Sequence, residues 1–182
     1  MIKKFALGLF AIATFAFVSC ETEKLGEGVE NSDVAATPIM AYTDSERNVT
    51  NDVSAVLKTN GTMEITAKFK RKSEDYRIST LKMVLKGTFG EGYSYPWEGG
   101  NESFEAVNVS TATFHSTHTG ITYSTFNLLL PSSIEGRVVI DKVDLTNKRI
   151  SGTFLYTLQS SENAQYILSN GTFFYVPFVY EE

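Results

Sequence analysis

The 182-residue chain has one cysteine, two histidines and one tryptophan, and its 16 basic residues are outnumbered by 21 acidic ones. Each shortage closes a route. A single cysteine cannot form an internal disulfide. A net charge of −5 at pH 7, with no basic patch, offers no phosphate neutralisation, so nucleic acid is not an expected partner. The two histidines, His115 and His118 in FHSTHTG, point to opposite faces if that segment is a strand. Residues 106–134 supply no cysteine, aspartate or glutamate to complete a set of three or four metal ligands. Asp141, Asp144 and Asn147 in DKVDLTN lack the alternate spacing and the glycine of a calcium loop, and read as a hairpin connection with an Asx-turn. No GxSxG elbow is present. Glu91, Glu98, Glu102 and Glu105 are plentiful carboxylates, but a glycosidase pair needs its carboxyls ~5–9.5 Å apart across a cleft, which loop spacing does not establish. The chain therefore reads as a non-enzyme with no metal or cofactor.

Also missing, beyond the first twenty residues, is any helical apolar stripe of useful length. What is present at the start is MIKKFALGLFAIATFAFVSC, with the three parts of a bacterial export signal. Lys3 and Lys4 precede 14 uncharged residues, Phe5 to Val18, too few for the ~20 that span a bilayer. Val18-Ser19-Cys20 resembles the lipobox of bacterial lipoproteins, with Phe17 standing where leucine is commoner. The resemblance implies a signal peptide over residues 1–19 and a diacylglyceryl thioether on Cys20, which would also account for the lone thiol. An ordinary cleaved signal with an incidental cysteine is the alternative. Residues 20–36 are acidic and poor in large apolar side chains, as a flexible tether would be. Glu21 and Glu23 resemble the acidic surface-export signals of some Bacteroidetes lipoproteins, and a solvated linker explains them equally well.

Residues 37–182 read as a single β-domain. Its dominant pattern has period two. In TMEITAKF, Met63, Ile65, Ala67 and Phe69 share a face; in ISGTFLYTL, Ile150, Gly152, Phe154, Tyr156 and Leu158 do. Short polar breaks separate the runs and leave no room for crossover helices, so neighbours should pair antiparallel. The fold class is all-β: an antiparallel sandwich or flattened barrel of about eight strands, with a calycin-like up-and-down barrel as the alternative. Gly-Thr-Phe recurs at 87–89, 152–154 and 171–173, with Gly-Thr-Met at 61–63. Glycine permits a bulge or close backbone approach and phenylalanine plugs a core, so the triplet reads as architecture. Residues 165–179 exceed a usual strand, and a kink at Asn170-Gly171 fits better than a hairpin turn, because the strand 150–158 needs an equally long partner.

The run EGRVVIDKVDLTNKRISGTFLYTL followed by QYILSNGTFFYVPF resembles an uncharacterised family of Bacteroidetes lipoproteins. The matching elements are Val138 to Asp144, Ile150 to Phe154, Asn170 to Phe173 and Val176 to Phe178, and the likeness covers roughly residues 50–182. It implies a secreted, lipid-anchored β-domain and transfers no functional residue.

One stretch carries a candidate site. In GTFGEGYSYPWEGGN, Tyr93, Tyr95 and Trp97 alternate and would face one way in an extended segment, as an aromatic platform for a sugar ring. Glu98 and Asn101, with Glu91, would supply hydrogen bonds. The competing reading is that the rings cap the core. Two functions are thus expected of an outer-membrane, lipid-anchored protein on the periplasmic face or cell surface. One is a non-catalytic binding module for a glycan, peptide or envelope partner. The other is a structural or accessory lipoprotein; a closed barrel with an apolar cavity would make it a carrier of a hydrophobic ligand.

Overall fold

Among the described residues, the alternating runs in TMEITAKF and ISGTFLYTL both become strand. A computed structural model describes residues 39–43, 46–71, 74–98, 107–125 and 136–182. The expected signal peptide (1–19), Cys20, the expected tether (20–36), Asn101, Glu102 and Glu105 lie outside the described residues. Among the described residues there are eleven strands and no α-helix. In β4 (Met63–Arg71) the face carrying Met63, Ile65, Ala67 and Phe69 is buried, and in β10 (Arg149–Gln159) so are Ile150, Gly152, Phe154, Tyr156 and Leu158.

One run of antiparallel neighbours consists of β3 (Val53–Leu57), β4, β5 (Glu74–Lys86), β7 (Val109–His115) and β8 (Thr122–Ser124). A second run consists of β9 (Gly136–Asp144), β10 and β11 (Gln165–Tyr180). The 16-residue β11 joins the two. Along one edge it pairs with β10. Along the other it receives β1 (Ile39–Thr43) at Ser169–Phe173 and then β3 at Phe178–Tyr180. A single pair, Ser124–Gln159, links β8 to β10 and closes a ring of seven strands into a flattened barrel. β2 (Glu46–Thr50) extends β1, and the three-residue β6 (Ser94–Pro96) extends β9. The β3–β11 pair is parallel, unlike its neighbours. No hairpin constrains it, because more than a hundred residues separate these strands.

Residues 165–180 form one strand with two bulges rather than a hairpin. The β10–β11 register slips beside Asn170 and beside Tyr175, whose φ values are 46° and 49°. An extra residue on one strand re-phases everything after it. Inward positions therefore run Leu168, then Gly171 and Phe173, then Val176 and Phe178.

Between the bulges the two Gly-Thr-Phe triplets pair with each other: Gly152 with Phe173, Thr153 with Thr172, Phe154 with Gly171. A Cβ on Gly171 would lie 2.5–2.6 Å from three atoms of the Phe154 ring. One on Gly152 would collide with the Phe173 ring and with the carbonyl of Val139. Each ring thus fills the place its opposite glycine leaves empty, and both rings are almost wholly buried. The other two triplets serve turns instead, with Gly61 at φ 84° and Gly87 at φ 116°.

Phe154→Ala and Phe173→Ala should each cost ~3–5 kcal/mol in denaturant unfolding, the usual loss for a buried phenylalanine. Losses under about 1 kcal/mol at both sites would show that these rings do not fill the core. Gly171→Ala should cost ~1–3 kcal/mol by overpacking. Combined with Phe154→Ala it should cost less than the sum, by ~0.5–3 kcal/mol, because the clash disappears with the ring; strict additivity would refute the seating of ring on glycine.

Candidate functional site

The aromatic loop does not present three rings to one side. Gly92, at φ 80°, turns the chain, and the strand phase begins only at Ser94. Tyr93 is left 42% exposed, with its ring over Gly90, while Tyr95 and Trp97 are 1% and 7% exposed and belong to the core. The Tyr95 hydroxyl donates to the Thr88 carbonyl at 2.6 Å, and desolvation by burial pushes its pKa up to about 12. The Trp97 backbone N–H donates to Gly136 O at 2.7 Å. Its side chain lies so close to Gly136 that a Cβ there would approach within 2.9 Å. Edge strand β6 thus turns its large side chains inward to cover the core between β9 and β7. Glu98 is exposed and pairs with Lys86 Nζ at 2.7 Å. Glu91 accepts from the backbone N–H of Val143 at 3.3 Å.

The other candidates separate as well. His115 Nδ1 meets Thr122 Oγ1 at 2.9 Å. Asn147 donates to Asp144 from its backbone (2.9 Å) and its amide (2.8 Å), an Asx-turn whose hydrogen bonds hold the Asp144 carboxyl below its usual value. Among the described residues no three His, Cys, Asp or Glu side chains gather as metal ligands.

A concave surface lies instead on the outer face of β1, β11, β10 and β9, and the bulges build it. At the β11 bulge, consecutive residues Phe174 and Tyr175 both turn outward, 53% and 37% exposed. Opposite, the β9–β10 register slips between Ser151 and Gly152, and consecutive Asp141 and Lys142 are both exposed. A hollow of about 510 Å³ opens between Phe174 and the Asp141–Lys142 pair, reaching Met40 and Arg47. A second, of about 420 Å³, continues towards Arg137, Leu155 and Asn170. The outward Thr153–Thr172 pair belongs to both. Phe174 stands edge-on to Tyr175 at 4.3 Å, Lys142 Nζ sits 5.7 Å from the Tyr175 ring centre, and Arg47 Nε contacts Met40 Sδ at 3.1 Å. Among the described residues that line it, the trough carries Arg47, Arg137 and Lys142 against one carboxylate, Asp141, in a chain whose net charge is −5.

Sequence reasoning missed this surface. Its available signal is the run Phe173-Phe174-Tyr175: no strand buries three consecutive aromatics, so at least one must face out. Which ones do so depends on the bulge.

Trp97→Ala should destabilise the domain by ~3–5 kcal/mol, as loss of a buried aromatic does. The sole tryptophan should fluoresce at short wavelength and resist acrylamide. Strong quenching in the folded protein, or a loss within ~0.5 kcal/mol as surface substitutions give, would contradict its place in the core.

No curated protein and no solved structure matches the chain. A family model described as Domain of unknown function (DUF6252) matches residues 36–177, from just before β1 to within β11. The chain, all-β over its described residues, belongs to this family.

Proposed function

We propose that the chain is a non-catalytic binding module of the bacterial outer membrane, anchored through a lipidated Cys20, that takes a short acidic oligosaccharide in the outer trough. The observation that carries this reading is the local reversal of charge: among the described lining residues, three cations against one carboxylate, on a protein that is acidic overall. Phe174 offers an exposed apolar ring for a sugar face, and the Thr153 and Thr172 hydroxyls offer hydrogen bonds between the cations. Each hollow has the volume of a small-molecule site, ~300–1,000 Å³. The trough follows β10 from Ser151 to Leu155, about 14 Å at ~3.4 Å per residue, which suits an extended chain rather than a compact ligand.

The anchor rests on the lipobox-like Val18-Ser19-Cys20 and on the resemblance to Bacteroidetes lipoproteins. Two or more acyl chains, at ~0.8 kcal/mol per buried CH₂, hold a protein firmly. A tether over residues 20–36 would have an end-to-end reach of roughly 20–25 Å. The burial of Tyr95 and Trp97 favours the second reading, a structural envelope lipoprotein without a small ligand, because it takes the aromatic loop out of the recognition surface.

On an array of neutral and uronate-bearing oligosaccharides, the protein should retain the acidic ones, and less so as salt rises. Phe174→Ala and Arg137→Gln should remove binding while changing stability by no more than ~0.5 kcal/mol. Retention of neutral and acidic glycans alike, or none at all, would sink the oligosaccharide reading. Separately, Cys20→Ala should move the chain from the membrane to the soluble fraction; its persistence in the membrane would remove the anchor.

A further inference from the structure

Ser151 stands where both register slips of the outer trough meet. In the β9 ladder it pairs with Lys142, and Asp141 is the extra residue before Gly152 pairs with Ile140. In the β11 ladder Ile150 pairs with Val176 and Gly152 with Phe173, so Phe174 and Tyr175 together oppose Ser151. Its position has the outward phase, between the inward Ile150 and Gly152. It is nevertheless buried, whereas Thr153, two positions on, is exposed. Its hydroxyl is engaged by the bulge: Ser151 Oγ accepts from the Tyr175 backbone N–H at 2.9 Å. An extra residue disrupts the ladder around it, and a backbone donor left unmet is costly. Here a side-chain oxygen stands in for the missing carbonyl. Tyr175 also lies at φ 49°, a left-handed conformation that a bulky residue keeps only where its surroundings hold it.

We propose that Ser151 is the positioning residue of the outer trough: its hydroxyl holds Tyr175 in the bulge, and Tyr175 in turn places the Phe174 ring and the Lys142 ammonium for a ligand. This rests on the reading of the trough as a ligand site. Phe174 and Lys142 both line the first hollow, and both lean on Tyr175, at 4.3 Å between ring centres and 5.7 Å from Nζ to ring centre. The core dictates that a bulge exists, because without the extra residue Val176 and Phe178 would turn from the inside of the barrel to the outside. The Ser151 hydroxyl dictates the shape that the bulge takes. Its removal loosens the trough without opening the barrel.

Amide hydrogen exchange on the full-length chain in lipid nanodiscs, resolved to single residues, reads the hold directly. Ser151→Ala should speed exchange at Tyr175 by roughly two- to tenfold, the factor that one neutral hydrogen bond supplies. It should leave Phe178, whose N–H donates to Lys148 O at 2.8 Å, at the parent rate. Ser151→Thr keeps a hydroxyl and should exchange as the parent does. On uronate-bearing oligosaccharides, Ser151→Ala should bind more weakly by a similar factor, and Ser151→Thr should bind like the parent. Unchanged exchange at Tyr175 in Ser151→Ala, or equal acceleration at Tyr175 and Phe178, overturns the hold. Faster exchange at Tyr175 with unchanged uronate affinity overturns the positioning role. A parent that retains no uronate overturns the ligand reading and the positioning role with it, and the exchange rates tell that failure from a failure of the hold.

Discussion

Phe173 lies over Gly152 and Phe154 over Gly171, and this exchange sets how closely β10 and β11 approach. Glycine in a strand is costly in backbone entropy and offers no side chain to pack. Here the ring from the opposite strand fills the vacant volume, so the two unfavourable residues become the seats of two of the largest core side chains. The bulges follow from the same arrangement. Each restores the inward phase of β11 after the Gly-Thr-Phe segment has been fixed against its counterpart. With its phase restored twice, one strand keeps an inward face over 16 residues and can serve three partners. The same register slips turn Phe174 with Tyr175, and Asp141 with Lys142, out on the far side of the sheet. Core closure and the outer trough are two faces of one constraint.

The charge pattern is built on that frame. Glu64 sits between Lys58 at 2.7 Å and Lys82 at 2.9 Å, and these partners hold its carboxyl below the ordinary range. Such half-exposed pairs contribute little to stability. They do absorb charge there, while among the described residues that line the trough Arg47, Arg137 and Lys142 stand against a single carboxylate. The distribution of charge, more than its total, distinguishes the surfaces.

The faces of β4 and β10 are legible in the sequence because alternation is a local property: Met63, Ile65, Ala67 and Phe69 declare their side without reference to any partner. The single long β11 is legible too, since the length of residues 150–158 demands a match. Other features depend on neighbours. β2 reads Glu-Arg-Asn-Val-Thr and has no apolar stripe; it is a strand because β1 pairs with it. The parallel β3–β11 pair joins segments that no turn connects. At the aromatic loop, the two-residue spacing of Tyr93, Tyr95 and Trp97 is plain in the sequence, but Gly92 breaks the phase, and only the partner strands decide which face is inside. The trough is the least legible element. It arises from two register slips, and a slip is a relation between strands rather than a property of either one.

β11 also imposes an order on events. Its pairing partners begin at Ile39, so the outer edges of β1 and β3 have no hydrogen-bonding neighbour until more than a hundred further residues have been made. Pairings that distant are slow to form, and an open strand edge is a template for another chain. Until β11 pairs, those two edges stay open, and its pairing closes both. A lesion in β11 should therefore be felt as lost yield of soluble protein well before it is felt as a lowered melting temperature of the molecules that do close.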